Sequence, residues 1–331
     1  MRTVTEEVPD YRAAEGSAGW PKFVVKAVVF VALGLLAAET FWRSLGYMPG
    51  KSDFIHFATL RKAADGDRTA VALIGSSRVR YGLNAKSLQQ VAVGKHFIQL
   101  GILGNGSIPV LADLANDPRF VGLVICEINP AQWAEFGPAA KLPEPLAFRY
   151  PQVSGAYLET WLGEHFREHF SFFSYNLFTE LPRIVQHKPI PDPERPDRSV
   201  VFRDMGPEIN RVLLAGWLRG TDESAARIKG ADSARTLRQV RTFVDKIRGR
   251  GGDVAFVRMP VDGALRVHEE KVFPAIQRQI IGLREAGMVT IDFAEMDEHF
   301  QCPDGSHLNP ASADLFSRLL AEELLKKGFF R

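Results

Sequence analysis

The sequence predicts an α/β fold: a three-layer α/β/α sandwich around a five-stranded parallel, doubly wound sheet, preceded by an N-terminal transmembrane helix. Three observations predict it. Five short apolar runs recur along the chain, stretches of helical spacing fall between most of them, and one long apolar segment lies near the start. Apolar strands alternating with helices imply a parallel sheet covered on both faces. The 331 residues, 46% apolar and 24% charged, are enough for one large globular domain with a real core.

The first element is the apolar segment Phe23 to Trp42, interrupted only by Lys26 and Glu39 near its ends, with Trp20 and Trp42 placed as interfacial aromatics. About twenty residues match a bilayer core. Ala27 to Ala38 lacks the polar face that a helix on a globular domain carries. A cleaved signal peptide fits less well, because Leu36 precedes Ala37-Ala38 and a long tail precedes the apolar core. Residues 23–42 therefore read as an uncleaved signal-anchor. Arg2, Arg12, Lys22 and Lys26 lie before the span, against Arg43 and Lys51 after it. That balance puts residues 1–22 in the cytoplasm and the bulk of the chain outside it, in the periplasm, held to the inner membrane by a single pass.

Residues 43–69 form a polar connection with a short helical pattern. Strands are expected at Ala70–Gly75, His96–Leu100, Val121–Glu127, Asp253–Val257 and Met288–Phe293. Helices are expected at Ala85–Val93, Ile108–Ala115, Ser233–Arg250, His268–Ala286 and Ala311–Lys327. The doubly wound class gives the strand order 2-1-3-4-5. The alternation breaks between about residues 131 and 232. This insertion, rich in aromatics and carrying KPIPDPERPD, is expected to form a helical cap within the domain spanning residues 70–331.

Several function classes are disfavoured at this level. A net charge of +2 gives no electrostatic case for nucleic acid. Cys126 and Cys302 are too few for a disulfide framework and lack metal spacing, and Cys126 sits in an apolar run as a core thiol would. His165-Phe-Arg-Glu168-His169 matches the inverted zinc-peptidase pattern. Trp161, Leu162, Phe166, Phe170 and Phe173 share nearly that spacing, so an apolar helical stripe flanked by histidines explains the segment without a metal. The aromatics from Trp161 to Phe178 suit either a cover for the sheet or a surface for a membrane partner.

In a doubly wound sheet, ligands gather beyond the carboxyl ends of the strands. The first strand ends at Gly75-Ser76-Ser77, and the second runs into the glycine-rich turn Gly101–Gly106. The third ends at Glu127-Ile128-Asn129, and Asp304-Gly-Ser-His307 follows the fifth. These positions hold the parts of an acyl-transfer site. A serine hydroxyl needs a base to become a nucleophile: Ser77 is the candidate nucleophile and His307 the base. Asp304, three residues earlier, is placed to fix the imidazole. The amides of Ser77 and Gly104 and the side chain of Asn129 are the candidate oxyanion donors. Arg78 and Arg80 flank the nucleophile, either to orient an anionic polymer or as a solvated pair. The α/β-hydrolase elbow G-x-S-x-G is excluded, because Val79 stands where its second glycine belongs.

With these blocks in place, the chain resembles the SGNH (GDSL-like) hydrolase superfamily from about Ala70 to Leu325. It departs at Ser76, where better-known members have aspartate, and at Glu127-Ile128, where small residues are usual. A G-S-S opening behind a membrane anchor resembles the DltD- and AlgJ-like branch. The resemblance implies a cofactor-free Ser77–His307–Asp304 site with Gly104 and Asn129 as oxyanion donors. It also implies a membrane-bound O-acyltransferase as acyl-donor partner and an envelope polysaccharide as substrate. Three functions remain open: O-acyltransferase, periplasmic esterase or deacetylase with the same site, and non-catalytic partner of a membrane O-acyltransferase.

Overall fold

AVALI at residues 70–74 and LVIC at residues 123–126 offer no polar face, so a stable fold must cover both sides of each strand. In the computed structural model of the chain every residue of both runs is buried. The structure describes residues 20–50, 53–135, 162–163, 165–167, 169–186, 190, 192–195, 197–228, 233–296 and 298–330. Strands β1 (Ala70–Ile74), β2 (His96–Gln99), β3 (Leu123–Glu127), β4 (Asp253–Arg258) and β5 (Thr290–Asp292) form one parallel sheet in the order β2-β1-β3-β4-β5. This is the expected order. Its connections diverge between β1 and β3, and a crevice at such a switch point is where ligands bind.

Alternate strand residues feed two apolar cores. Ala72, Ile74, Val124, Cys126 and Phe256 pack with Leu111, Val244 and Leu283. Those three come from α5 (Ser107–Asn116), α10 (Ser233–Arg248) and α12 (Ala275–Glu285). Leu73, Ile125 and Val257 pack instead with Leu88 of α4 (Ala85–Val91) and with Phe316 and Leu320 of α13 (Pro310–Lys326). Each fully buried aliphatic or aromatic side chain of this kind contributes about 1.5–3 kcal/mol. The remaining described helices are α2 (Asp53–Ala63), α3 (Ser77–Gly82), α6 (Pro130–Glu135), α7 (Ser171–Ser174), α8 (Leu177–Val185), α9 (Pro207–Arg227) and α11 (Gly263–Val272).

Three expected elements come out differently. The single helix over His268–Ala286 is two, α11 and α12, with the break at Phe273-Pro274. Proline has no amide hydrogen and disfavours helical geometry in the residue before it. The third strand begins at Leu123 instead of Val121, and the fifth covers only Thr290–Asp292. Cys126 and Cys302 are separate thiols, both pushed up to about 12 by burial. Much of the insertion, 136–161 in particular, lies outside the described residues, as do residues 1–19 of the N-terminal tail.

The chain divides after Tyr47 into two compact units. The first holds α1 (Trp20–Ser44), 25 residues long. At 1.5 Å per residue that is about 37 Å, longer than a bilayer core. Its most apolar stretch is entirely unburied. By length and composition this helix suits a membrane crossing.

Candidate active site

β1 delivers the chain to the switch point, and the sequence turns it there. Ser76 is the N-cap of α3, its hydroxyl accepting from the Arg78 amide at 3.2 Å. A serine cap favours helix initiation because it satisfies an amide with no intrahelical acceptor. Ser77 is thereby the first helical residue, half-buried, at the carboxyl end of the sheet.

Ser77 Oγ lies 2.9 Å from His307 Nε2, although 230 residues of chain separate them. His307 Nδ1 lies 2.7 Å from Asp304 Oδ2. Asp304 Oδ1 accepts the backbone amides of Ser306 and His307 at 2.9 and 2.8 Å, and Trp217 Nε1 donates to Oδ2 at 3.3 Å. Burial alone would raise the Asp304 pKa, but the hydrogen bonds from the His307 ring and from the His307 and Ser306 amides outweigh it and hold the carboxyl below its ordinary value. An ionised carboxylate only accepts, so His307 carries its hydrogen on Nδ1. The Nε2 lone pair then faces the Ser77 hydroxyl, which donates to it. That is the tautomer a general base requires.

The imidazole is walled by aromatic rings. Tyr81 lies tilted against it with centroids 4.2 Å apart, and Trp217 of α9 meets it edge-on at 5.3 Å. Tyr81 Oη donates to Asp192 Oδ2 at 2.8 Å. Tyr81 also lines a cavity of about 590 Å³ shared with Leu103, Arg167, Tyr175, Asp192 and Glu194. Tyr81, Trp217 and the cavity were not found by sequence reasoning. An aromatic four residues after the nucleophile on a helix was the available signal for Tyr81 alone.

The remaining predicted residues fall as follows. Gly104 is exposed with φ +71, a conformation that favours glycine, on the loop whose Ile102 amide donates to Gly75 O at 2.8 Å. Asn129 is buried just beyond β3, its Oδ1 3.4 Å from the Gln132 amide. Both therefore sit on loops that adjoin the serine turn. Arg78 and Arg80 do not form the solvated pair. Arg80 is almost fully buried, donating to Arg198 O at 2.9 Å and pairing with Glu194 at 2.9 Å. Arg78 donates to Ser306 Oγ at 3.1 Å and pairs with buried Glu269. Both guanidinium groups are engaged by protein acceptors.

Glu127 is the residue sequence reasoning undervalued. Its carboxylate is fully buried and accepts the Ser76 amide on Oε2 and the Ser76 hydroxyl on Oε1, the latter at 3.0 Å. Ser76 and Glu127, at the ends of neighbouring strands, thus bond to each other. Gly75 is required beneath them, since a Cβ there would run into Val79 and lie 2.7 Å from Glu127 Cβ. Gly75→Ala is expected to destabilise the protein by about 1–3 kcal/mol through overpacking, read as a lowered denaturation midpoint. An unchanged midpoint would show that the turn has room to spare.

The rings of His165 and His169 lie tilted against each other with centroids 4.5 Å apart, and Glu168 lies outside the described residues. Among the described residues no three metal-ligating side chains converge. The sequence matches no protein-family model and no curated protein.

Proposed function

We propose that the protein is a membrane-anchored O-acyltransferase of the SGNH type, modifying a cell-envelope polysaccharide through an acyl-enzyme on Ser77. One observation carries the reading: the unbroken relay from Ser77 through His307 to Asp304, assembled from both ends of the domain. On this reading the helices over the two faces of the sheet make a three-layer sandwich, the described parts of the insertion cap the site, and the domain lies in the periplasm. A membrane-bound O-acyltransferase supplies the acyl donor.

The chemistry runs in two halves. His307 Nε2 takes the proton as Ser77 Oγ attacks the donor carbonyl. The oxyanion is met by the amides of Ser77 and Gly104 and by Asn129 Nδ2. Collapse leaves the acyl group on Ser77, and the donor's leaving group departs with the proton from His307. In the second half His307 deprotonates an acceptor hydroxyl as it attacks the ester carbonyl, then returns that proton to Ser77 Oγ as the acyl–serine bond breaks. The cavity that Tyr81 lines is the candidate acceptor site, within the usual volume range for ligand pockets. The apolar α1 favours transfer over hydrolysis, because it tethers the site to the membrane where a lipid-side donor is made.

The test is reaction of the full-length protein with a fluorophosphonate, followed by peptide mass spectrometry. The adduct is expected on Ser77. Incubation with an activated acetyl ester and candidate envelope oligosaccharides should then give acetylated sugar. Release of acetate to water alone would convert the reading to esterase, and no adduct with no acyl turnover would leave a non-catalytic partner.

A further inference from the structure

Helix α8 is built inside out. No residue of this nine-residue helix is buried. At 100° per residue, Leu177, Phe178, Leu181 and Val185 fall within an arc of about 100°. They are 45%, 86%, 47% and 67% exposed. The carboxylate of Glu180, off this arc, is instead the sheltered one and pairs with Arg183 at 3.4 Å. Phe173 of α7, four residues before Leu177, is likewise 46% exposed. Only Glu180, Arg183 and Ile184 of this helix are less than exposed, so most of its apolar side chains face outward while its carboxylate is sheltered, and a clustered exposed patch of this kind marks an interaction site.

Chain connectivity indicates what the patch meets. Gly50 N donates to Ser174 Oγ at 2.9 Å, and that oxygen lies 2.8 Å from Gly50 O. Ser174 ends α7, three residues before α8 begins. Only residues 45–49 separate Gly50 from Ser44, the last residue of α1, and a chain of that length reaches at most about 20 Å. Chain length therefore ties Gly50, which Ser174 holds, to the end of α1 by a tether of at most about 20 Å, whichever side of a bilayer the domain occupies.

We infer that α8, with Phe173, is an interfacial membrane helix that lays its apolar arc into the outer part of the bilayer spanned by α1. The arc of Phe, Leu and Val contains no group that needs a hydrogen-bond partner, which suits acyl chains. Amphipathic helices of this kind bury their apolar face about 5–10 Å below the headgroups. The consequence is a second attachment that restrains the domain against the membrane surface. It does not depend on what reaction, if any, Ser77 performs.

The experiment uses the full-length protein in phosphatidylethanolamine–phosphatidylglycerol vesicles. Phe178→Cys and Thr179→Cys are each labelled with an environment-sensitive fluorophore, and the parent chain labelled in parallel supplies the blank. Thr179 lies on the far side of the helix from the arc. Nitroxide lipids labelled near the top of the acyl chain are expected to quench the Phe178 probe severalfold more than the Thr179 probe, with a blue-shifted emission. A blue-shifted but unquenched Phe178 probe would mean that protein covers the arc, either residues 136–161 of this chain or a partner, and would overturn the inference. Equal weak quenching at both sites, with emission typical of water, would overturn it as well.

Discussion

Replacing Ser77 by alanine is expected to lower acyl turnover by about 10⁴-fold or more, and to abolish the fluorophosphonate adduct, while leaving the fold intact. The hydroxyl is half-buried and bonded to His307 alone among the described side chains, and alanine favours the helix that begins there. Its thermal midpoint should therefore stay close to that of the parent. His307→Ala should lose about as much, and the Ser77→Ala/His307→Ala double variant little more than either single, because the two act as one unit. Asp304→Asn should also fall by roughly 10⁴-fold, since an amide can donate to Nδ1 and select the wrong tautomer. It should cost stability too, with a defined pH dependence. Asp304 is held below its ordinary 3.8 when folded, so its contribution is present above that value and lost as pH falls through the folded one. The wild-type advantage over Asp304→Asn should accordingly shrink in acid. Additive losses in the double variant, or full turnover without Ser77, would remove the nucleophile assignment.

Much of the fold was legible because it rests on local pattern. Apolar runs at 70–74, 123–126 and 254–257 read as strands covered on both faces, and their alternation with helices points to the doubly wound order. The polar residues beyond each strand end were legible for the same reason: the topology collects those ends at one rim. What escaped was set by partners far along the chain. Arg78 and Arg80 carry charge, and charge next to a turn reads as solvated. Their acceptors, Glu269 and the segment 194–198, lie more than a hundred residues away. Pro274 did announce the break between α11 and α12, and the apolar spacing across it hid the signal. The aromatic stripe before α8 followed helical periodicity as a core face would, yet Phe166, Phe170 and Phe173 are all exposed. Periodicity identifies a face without saying whether protein, lipid or water lies against it.

Removing the Glu127 carboxylate is expected to damage both stability and rate, because this group holds the turn that presents Ser77. Glu127→Ala would leave the buried Ser76 amide without its acceptor and open a cavity beside Gly75. The combined cost should be about 3–5 kcal/mol. Acylation of Ser77 should slow by about 10²-fold, since a displacement near 1 Å at a nucleophile is worth that much. Glu127→Gln should be milder, its carbonyl oxygen still accepting the Ser76 amide while its amide group turns toward the Ser76 hydroxyl. The two side chains then differ in charge, and pH separates them. Burial, opposed by Arg78 and the Ser76 donors, pushes the Glu127 pKa above its ordinary 4.5. An acid whose folded pKa is raised stabilises the fold below its unfolded value and loses that contribution as pH rises through the folded one. Wild-type stability should thus decline relative to Glu127→Gln as pH rises above 4.5, in parallel denaturation series on the two proteins. A constant difference across pH would mean that the carboxyl keeps its ordinary affinity for protons in the fold. An unchanged midpoint and acylation rate in Glu127→Ala would show that the Ser76–Glu127 bonds do not position the serine at all.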